Sequence, residues 1–430
     1  MALLEHGLRG LIPAACVAVA SCGGASVGPP RSELGRYLHE ASFRRQALES
    51  SLTTTDNRYA RLRLARYETG AAEDWSRLPA WNPAVSVVLA SSLGGGEAPA
   101  AAALDLPSEA QEGSEAALLE LGRLAFWRYP AMLLPERTEV ALRSGELVPA
   151  RYGLWRDPAS DRVGGLVEVT LQGGGRALSL TCSSCHAAEG PRGLVPGVAN
   201  ARFDYGAMSA DGNPNLPPEY EARLRRWGPG RVDVATLEGT EPIAVPDLRP
   251  LRDQRFLHRA GAVTQRSIAS LAVRVETLLI TGHQQAVRPP REVSAGLALY
   301  LWSLADALPP RGRPGPSTDR GWRVFSQRCA GCHGAEGQGG GLVEPEDSVT
   351  DGAIARSAER GTGSYRVPSL RGVTDRGLLL HDGSIAGLDA LLDPRRGVTP
   401  EGPAAMPSHP FALDLPEDDR RALRELLSAL

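Results

Sequence analysis

Two short cysteine motifs are the strongest candidates for chemistry in this 430-residue chain. The first reads Cys182-Ser183-Ser184-Cys185-His186, and the second reads Cys329-Ala330-Gly331-Cys332-His333. In each motif two residues separate the cysteines and a histidine follows at once, which is the pattern of c-type haem attachment. The cysteines would form thioethers with the haem vinyl groups, while His186 and His333 would ligate the iron from the near side. The sequence therefore predicts two covalently bound haem c groups.

Two other chemistries also use paired cysteines. Two Cys-x-x-Cys pairs together can bind one zinc ion, and a single pair can act as redox thiols in a thioredoxin-like protein. Neither chemistry requires a histidine directly after the second cysteine, and the chain has only 8 histidines. Haem attachment is therefore the preferred interpretation, with zinc and redox thiols as the alternatives.

The composition is that of a globular protein long enough for two or three domains. Hydrophobic residues make up 42 % of the chain and the formal net charge is −3. Because there is no excess of basic residues, we predict no nucleic-acid partner. The 34 prolines and 48 glycines favour many loops and short elements over long uninterrupted helices.

The N-terminus is typical of an exported protein. An apolar run from Leu11 to Ala20 is closed by small residues and Cys22, and it is too short to span a membrane as a helix. The end of this run resembles the lipobox of bacterial lipoproteins, in which the cysteine is acylated and becomes the mature N-terminus. We therefore predict a signal peptide over residues 1–22 and a lipid anchor on Cys22. The resemblance implies a periplasm-facing or outer-membrane lipoprotein of a Gram-negative bacterium; ordinary signal cleavage is the alternative.

The rest of the chain is predicted to be mainly α. Residues 23–113 are interpreted as a tether followed by a helical extension. Apolar residues recur at helical spacing over residues 115–127. Alternation of apolar residues over 163–180, interrupted by three glycines, predicts a small β-hairpin that leads directly to the first motif.

An internal repeat relates the two halves that carry the motifs. The segment Val245-Pro246-Asp247-Leu248-Arg249 corresponds to Val367-Pro368-Ser369-Leu370-Arg371, and we call both VPxLR segments. Further along, a leucine-rich helix in each half matches without a gap. The sequence therefore predicts two tandem cytochrome c-like haem domains, at residues 114–309 and 317–430, joined by a proline-rich junction.

The ligands on the far side of each iron remain open between several residues. His283 and His409 are equivalent in the repeat and precede the closing helix of each half, where small c-type cytochromes usually carry this ligand. Met406 lies in the same loop as His409, and a thioether ligand raises the reduction potential relative to an imidazole. The other candidates are His258, Met208 or an open position for the first haem, and His381 for the second.

The second VPxLR segment, followed by Leu380-His381-Asp382-Gly383-Ser384, resembles the C-terminal signature of di-haem cytochrome c peroxidases and their MauG-like relatives. The similarity covers roughly residues 115–430. The resemblance implies two packed cytochrome c-like domains, in which one haem receives electrons and the other reacts with hydrogen peroxide. It also implies a distal glutamate, for which Glu276 is an approximate match.

Two classes of function are compatible with these residues. The first is an electron carrier, in which both haems exchange electrons with a redox partner protein in the cell envelope. The second is a peroxidase that reduces hydrogen peroxide with electrons from a small donor protein and uses Glu276 for proton transfer. Arg395 stands where the family often has methionine or tyrosine, and it cannot ligate iron. We therefore prefer the electron carrier and keep the peroxidase as the alternative.

Overall fold

A computed structural model describes residues 32–93, 96, 99–157, 159–190, 193–232, 242–308, 319–397 and 408–430. About 44 % of the chain is helical and the sheets are small, so the prediction of a mainly α fold is confirmed. Cys22, Met406 and the proline-rich junction lie outside the described residues. In the described part, no helix combines the length and the apolar character needed to cross a membrane.

The described residues alternate between helices, short strands and long loops. The α-helices are α1 Glu33–His39, α2 Ala41–Ser51, α3 Arg58–Arg66, α4 Ser108–Gln111, α5 Glu115–Arg128, α6 Glu136–Arg143, α7 Cys182–His186, α8 Tyr205–Asp211, α9 Pro218–Trp227, α10 Ile268–His283, α11 Arg291–Ser303, α12 Asp319–Arg328, α13 Ala330–His333, α14 Gly387–Leu391 and α15 Glu417–Ala429. The strands are β1 Val85–Leu89, β2 Met132–Leu133, β3 Arg162–Thr170, β4 Arg176–Leu180, β5 Ala187–Gly190, β6 Gly193–Pro196, β7 Arg231–Val232, β8 Ile243–Ala244, β9 Phe256–Leu257, β10 Val263–Thr264, β11 Leu342–Val343 and β12 Tyr365–Arg366.

The predicted hairpin forms, but it belongs to a larger sheet. Strands β3 and β4 pair antiparallel at the centre of a four-stranded sheet with the order β1-β3-β4-β2. The edge strand β1 comes from the N-terminal extension and pairs Val85 with Val169. Most of β3 is buried, because the sheet is covered on both faces. The extension, expected to be helical, therefore also supplies a strand to the first half.

The N-terminal extension also forms helices α1, α2 and α3. Two of them begin at residues that cap the exposed backbone N–H groups of a first helical turn. The Ser32 hydroxyl accepts a hydrogen bond from the backbone N–H of Gly35, and Asn57 does the same for Ala60. Helices α1 and α2 pack against α10, so the extension covers one side of the first half.

Each half contains a pair of helices that cross at close range. Helix α5 crosses α11 in the first half, and α12 crosses α15 in the second. A Cβ atom built on Gly122 would lie 1.9 Å from the carbonyl oxygen of Gly296. A Cβ atom on Gly321 would lie 2.4 Å from the carbonyl oxygen of Ala422, the repeat equivalent of Gly296. Both crossings therefore depend on glycine, as close backbone approach requires.

Two ion pairs related by the repeat join the halves. Nη1 of Arg249 lies 2.8 Å from Oδ2 of Asp375, and Nη1 of Arg371 lies 2.6 Å from Oδ2 of Asp253. Each arginine ends its own VPxLR segment, and each aspartate lies four residues after the arginine of the other segment. The arginine of each half thus pairs with the equivalent aspartate of the other half. Both arginine side chains are 6 % exposed, whereas Asp253 is fully buried and Asp375 is 55 % exposed.

Candidate haem sites

The first motif forms helix α7 directly after strand β4. The Ser184 hydroxyl donates a 2.6 Å hydrogen bond to the carbonyl of Thr181, which closes the helical turn. The backbone N–H of Asn200 donates to the carbonyl of Cys185 at 2.8 Å, and its side-chain amide donates to that of Ser184 at 3.0 Å. Asn200 was not among the predicted site residues, since an isolated asparagine in a loop carries no motif.

The imidazole of His186 is fixed in one orientation. Its Nδ1 donates a 3.1 Å hydrogen bond to the carbonyl of Pro246, which cannot itself donate. Burial lowers the pKa of His186 to about 4, although the Pro246 hydrogen bond opposes this shift. The ring is therefore neutral near pH 7, with the proton on Nδ1 and the lone pair on Nε2. This is the form in which histidine binds a metal ion.

The second motif repeats this arrangement. Helix α12 leads into Cys329, and α13 carries Cys332 and His333. Nδ1 of His333 donates a 3.0 Å hydrogen bond to the carbonyl of Pro368. Burial, and secondarily the neighbouring His409, lowers the pKa of His333 to about 4. His333 is therefore also neutral and presents the lone pair of Nε2.

Both hydrogen-bond acceptors are the second residue of a VPxLR segment. The repeat was evident in the sequence, but the role of its proline carbonyls was missed. The signal for that role was the occurrence of one such segment after each motif. Because a hydrogen bond on one ring nitrogen orients the other toward a metal, Pro246 and Pro368 would position His186 and His333 for a metal ion.

His409 faces His333 across a cavity in the second half. The two ring centres are 6.2 Å apart and the ring planes are inclined by 66°. A metal–imidazole bond is about 2 Å long and a ring nitrogen lies about 1.1 Å from the ring centre, so two imidazoles on opposite sides of one metal ion have centres roughly 6 Å apart. The observed spacing fits one iron held between the two rings. A backbone hydrogen bond of 2.9 Å from His409 to the Ser348 carbonyl holds the loop in place.

The cavity between these histidines is large and mostly apolar. It encloses about 1650 Å³ of empty space, including the part that opens to solvent. Cys329, Cys332, His333 and His409 all line it. Its apolar walls include Val367, Leu370, Leu379, Leu388, Leu423 and Leu427. A flat apolar macrocycle tied to the two cysteines fits this donor set and this lining.

Comparison with known protein families agrees with this geometry. Residues 318–430 match the cytochrome c family. This segment is a cytochrome c domain. The cytochrome c domain implies a covalently bound haem c with its iron, and an electron-transfer role for the chain. No curated protein and no solved structure matches the chain.

The two cysteine pairs belong to different parts of the fold. Cys182 and Cys185 pack against clusters of the first half, whereas Cys329 packs inside the cytochrome c domain. Among the described residues, no group of three or more His, Cys, Asp or Glu side chains is arranged to hold a metal ion. The zinc alternative, which needs both pairs around one ion, therefore has no site in this part of the chain.

His381 lies in the cytochrome c domain but is engaged elsewhere. Its ring stacks on Tyr365, with ring centres 4.3 Å apart and planes inclined by 28°. Its Nδ1 lies 3.4 Å from the hydroxyl of Thr350. His381 lines the cavity wall, but His409 is the histidine in ring contact with His333. These contacts favour His409 over His381, and a far-side role for His381 stays a prediction.

His283, the repeat equivalent of His409, lies in the core of the first half. Its Nε2 is 3.0 Å from the carbonyl of Pro130, to which it donates. Trp81 packs edge-on against the ring at 4.8 Å, and Tyr129 packs against it at 5.8 Å. These contacts occupy Nε2 and enclose the ring in the core. The expectation that His283 ligates the first haem is therefore corrected.

Two further candidates for the first haem are buried. His258 is surrounded by arginines, and burial, with Arg360 as the next cause, lowers its pKa well below the usual range. Met208 is fully buried in the cluster against which Cys185 packs. In the described part of the chain, no second imidazole is in ring contact with His186.

Glu276 is a structural residue in this fold. The hydroxyls of Tyr37 and Tyr67 donate to its Oε2 at 2.7 and 2.6 Å, and Arg291 lies 3.8 Å from Oε1. The side chain is fully buried. Burial, and then Glu276, raises the pKa of both tyrosines well above the usual range. The carboxylate anchors the N-terminal extension on α10, which corrects the expectation that it transfers protons to peroxide.

Proposed function

We propose that this chain is a di-haem c-type cytochrome that transfers electrons in the bacterial cell envelope. The cytochrome c domain carries one haem, and Cys182, Cys185 and His186 of the first half hold the other. The observation that carries the proposal is the pair of matching hydrogen bonds, from His186 to Pro246 at 3.1 Å and from His333 to Pro368 at 3.0 Å. In both halves the histidine is held neutral, and its Nε2 is available to bind a metal ion.

In this proposal, the residues of the chain position the haem iron and shield it from water. When bound, haem c supplies one-electron exchange between the ferric and ferrous states of its iron. His333 and His409 are the two ligands that we propose for the cytochrome c domain, on the basis of their 6.2 Å separation. The apolar walls exclude water, which limits the reorganisation that accompanies a change of charge.

The envelope location follows from the N-terminal sequence. We propose that residues 1–22 are a signal peptide and that Cys22 carries the lipid anchor of a periplasm-facing or outer-membrane lipoprotein of a Gram-negative bacterium. Acyl chains on Cys22 would hold the soluble body near a membrane surface. Thioether formation would also keep the four motif cysteines out of disulfides in an oxidising compartment. The partner is a redox protein, and nucleic acid has no role.

A peroxidase that reduces hydrogen peroxide with electrons from a small donor protein is the second candidate. The observation that favours it is the inequality of the two sites: His333 faces His409, whereas in the described residues no imidazole ring contacts His186. An open iron position on that side would admit a small oxidant. The reaction also needs a group that delivers protons, and Glu276 is committed to Tyr37 and Tyr67.

The test uses the purified full-length holoprotein. Haem per chain is measured by pyridine haemochromogen absorbance against protein mass, and spin state is measured in the ferric and half-reduced forms. Two haems per chain, both low-spin and inert to peroxide, are the expected result for the carrier. One haem per chain would overturn the di-haem proposal. A high-spin signal with rapid, donor-dependent peroxide consumption would replace the carrier with the peroxidase.

A further inference from the structure

Four arginines line the cavity that contains His333; Arg328 is exposed and pairs with Asp414, whereas the other three are partly buried. Arg366 ends strand β12, and Arg376 follows the second VPxLR segment, so both belong to the cytochrome c domain. Arg259 comes from the first half and reaches the same cavity. The backbone N–H of Arg366 donates a 3.0 Å hydrogen bond to the carbonyl of Arg259, which holds these two residues side by side. The cavity wall therefore carries cations from both halves.

The guanidinium groups of Arg259, Arg366 and Arg376 have few close hydrogen bonds to protein carboxylates. Nε and Nη1 of Arg366 are buried without a hydrogen-bond partner among the described residues. Arg259 donates from Nε and Nη2 to the neutral carbonyl of Ala244, at 3.3 and 2.7 Å. Arg376 donates from Nη2 to the carbonyl of Arg371 at 2.7 Å, whereas its Nε has no hydrogen-bond partner among the described residues and lies 3.9 Å from Asp247.

The acidic groups near this wall neutralise it only in part. Asp247 and Asp375 both pair with Arg249, which leaves one carboxylate charge for Arg376. Asp382 is half-buried beside Arg259, and Asp347 is exposed at the rim. Burial, and then the neighbouring Arg259 and Arg376, holds the pKa of Arg366 well below its usual range. Placing three like charges together in an apolar wall is costly unless anions bind there. This part of the cavity wall therefore favours the binding of negatively charged groups.

We propose that Arg259, Arg366 and Arg376 bind the two propionate carboxylates of the haem held by the cytochrome c domain. The inference rests on that haem alone and does not depend on the haem that we propose for the first half. The propionates extend from the porphyrin edge away from the vinyl groups, and the vinyl groups are tied to Cys329 and Cys332. The cations that receive them must therefore come from segments other than α13. Guanidinium groups suit this task because they pair with carboxylates through two parallel hydrogen bonds.

The arrangement gives the first half a direct role in the haem site of the cytochrome c domain. Arg259 contributes a positive charge that the cytochrome c domain does not contain. Positive charges near a haem favour the reduced state, since the added electron is attracted to them. The three arginines are thus positioning residues that also set the reduction potential, and the interface between the halves becomes part of the redox site.

The experiment measures Arg366→Gln and Arg259→Gln in the full-length holoprotein. Spectroelectrochemical titration follows the haem whose signal disappears when Cys329 and Cys332 are replaced by alanine. At a fixed applied potential, we expect each variant to shift the ratio of reduced to oxidised haem about tenfold toward the oxidised form. We also expect the propionate bending bands in resonance Raman spectra to shift, which a purely structural role would not produce. If the chain has only one haem, the titration has one wave and the test is unchanged.

Three controls make the result decisive. Arg320→Gln changes an exposed arginine that pairs with Asp419 at 2.6 Å outside the cavity, so its redox ratio should stay within about twofold of wild type. Arg366→Lys keeps a positive charge and should stay within about threefold; it also serves if Arg366→Gln does not accumulate. Inorganic phosphate should not change the wild-type potential. A wild-type potential that follows phosphate, or Gln variants with the redox ratio and Raman bands of Arg320→Gln, would overturn the proposal.

Discussion

His186 and His333 donate the same hydrogen bond, to Pro246 and Pro368, but their surroundings on the other side differ. His333 faces His409 across an apolar cavity. In the described residues, His186 has no imidazole in ring contact. The near side of the two sites therefore follows the internal repeat, whereas the far side does not.

The divergence has a structural cause in the first half. His283 is equivalent to His409 in the repeat, but Trp81 from the N-terminal extension packs against its ring, and Pro130 accepts its hydrogen bond. In the part of the chain that the structure describes, the second half has no counterpart of this extension. Contacts with the extension thus enclose His283 in the core, so the repeat preserves the local motifs of the two halves but not the contacts between distant segments.

The largest expected effect is loss of haem from one half. Replacing Cys182 and Cys185 by alanine should lower the haem content from two per chain to one, because both thioethers of the first site are removed. Replacing Cys329 and Cys332 should have the same effect at the second site. Pyridine haemochromogen absorbance and the mass of the denatured chain check the outcome. If the first double variant kept two haems, the first motif would not be an attachment site.

The next effect separates the two repeat-equivalent histidines. His409→Ala should convert the haem of the cytochrome c domain from low spin to high spin, because it removes one of the two imidazoles that we propose as iron ligands. His283→Ala should leave haem spectra unchanged and lower the free energy of unfolding by about 2 kcal/mol, since it opens a cavity beside Trp81. Electron paramagnetic resonance and denaturant unfolding measure the two properties. Met406→Ala is the matched control, and loss of the low-spin signal in that variant alone would make Met406 the ligand.

A smaller effect compares the exchanged ion pairs between the halves. Asp253→Asn should lower the free energy of unfolding by about 3 kcal/mol, because it leaves Arg371 buried without its 2.6 Å partner. Asp375→Asn should cost less than about 1 kcal/mol, because Asp375 is 55 % exposed and Arg249 retains Asp247. Urea unfolding of the holoprotein gives both values. Equal losses of unfolding free energy in the two variants would contradict the expected difference between buried Asp253 and exposed Asp375.

The smallest effect concerns the helix crossings. Gly122→Ala should cost about 2 kcal/mol and Gly321→Ala about 1 kcal/mol, because overpacking outweighs the gain in helix propensity. The order follows from the space at each site, since the new Cβ would lie 1.9 Å from a carbonyl oxygen in the first case and 2.4 Å in the second. Thermal unfolding monitored by circular dichroism would reveal the order. A stabilised Gly122→Ala variant would show that the helices separate without cost.

The sequence by itself determined the local features of this protein. The spacing of Cys329, Cys332 and His333 defined a haem attachment motif, and periodic apolar residues predicted helix 115–127, observed as α5 Glu115–Arg128. Alternation over 163–180 predicted the β3–β4 hairpin, since side chains on a strand alternate between its faces. The helix and hairpin predictions succeeded because each depends on residues only a few positions apart.

The tertiary structure alone decided which distant residues meet. It brought His409 to His333, enclosed His283 against Trp81, and placed Arg259 from the first half in the cavity of the cytochrome c domain. It also turned Glu276 into an anchor for Tyr37 and Tyr67. Such contacts depend on packing between segments that are far apart in the chain, and no local spacing encodes them.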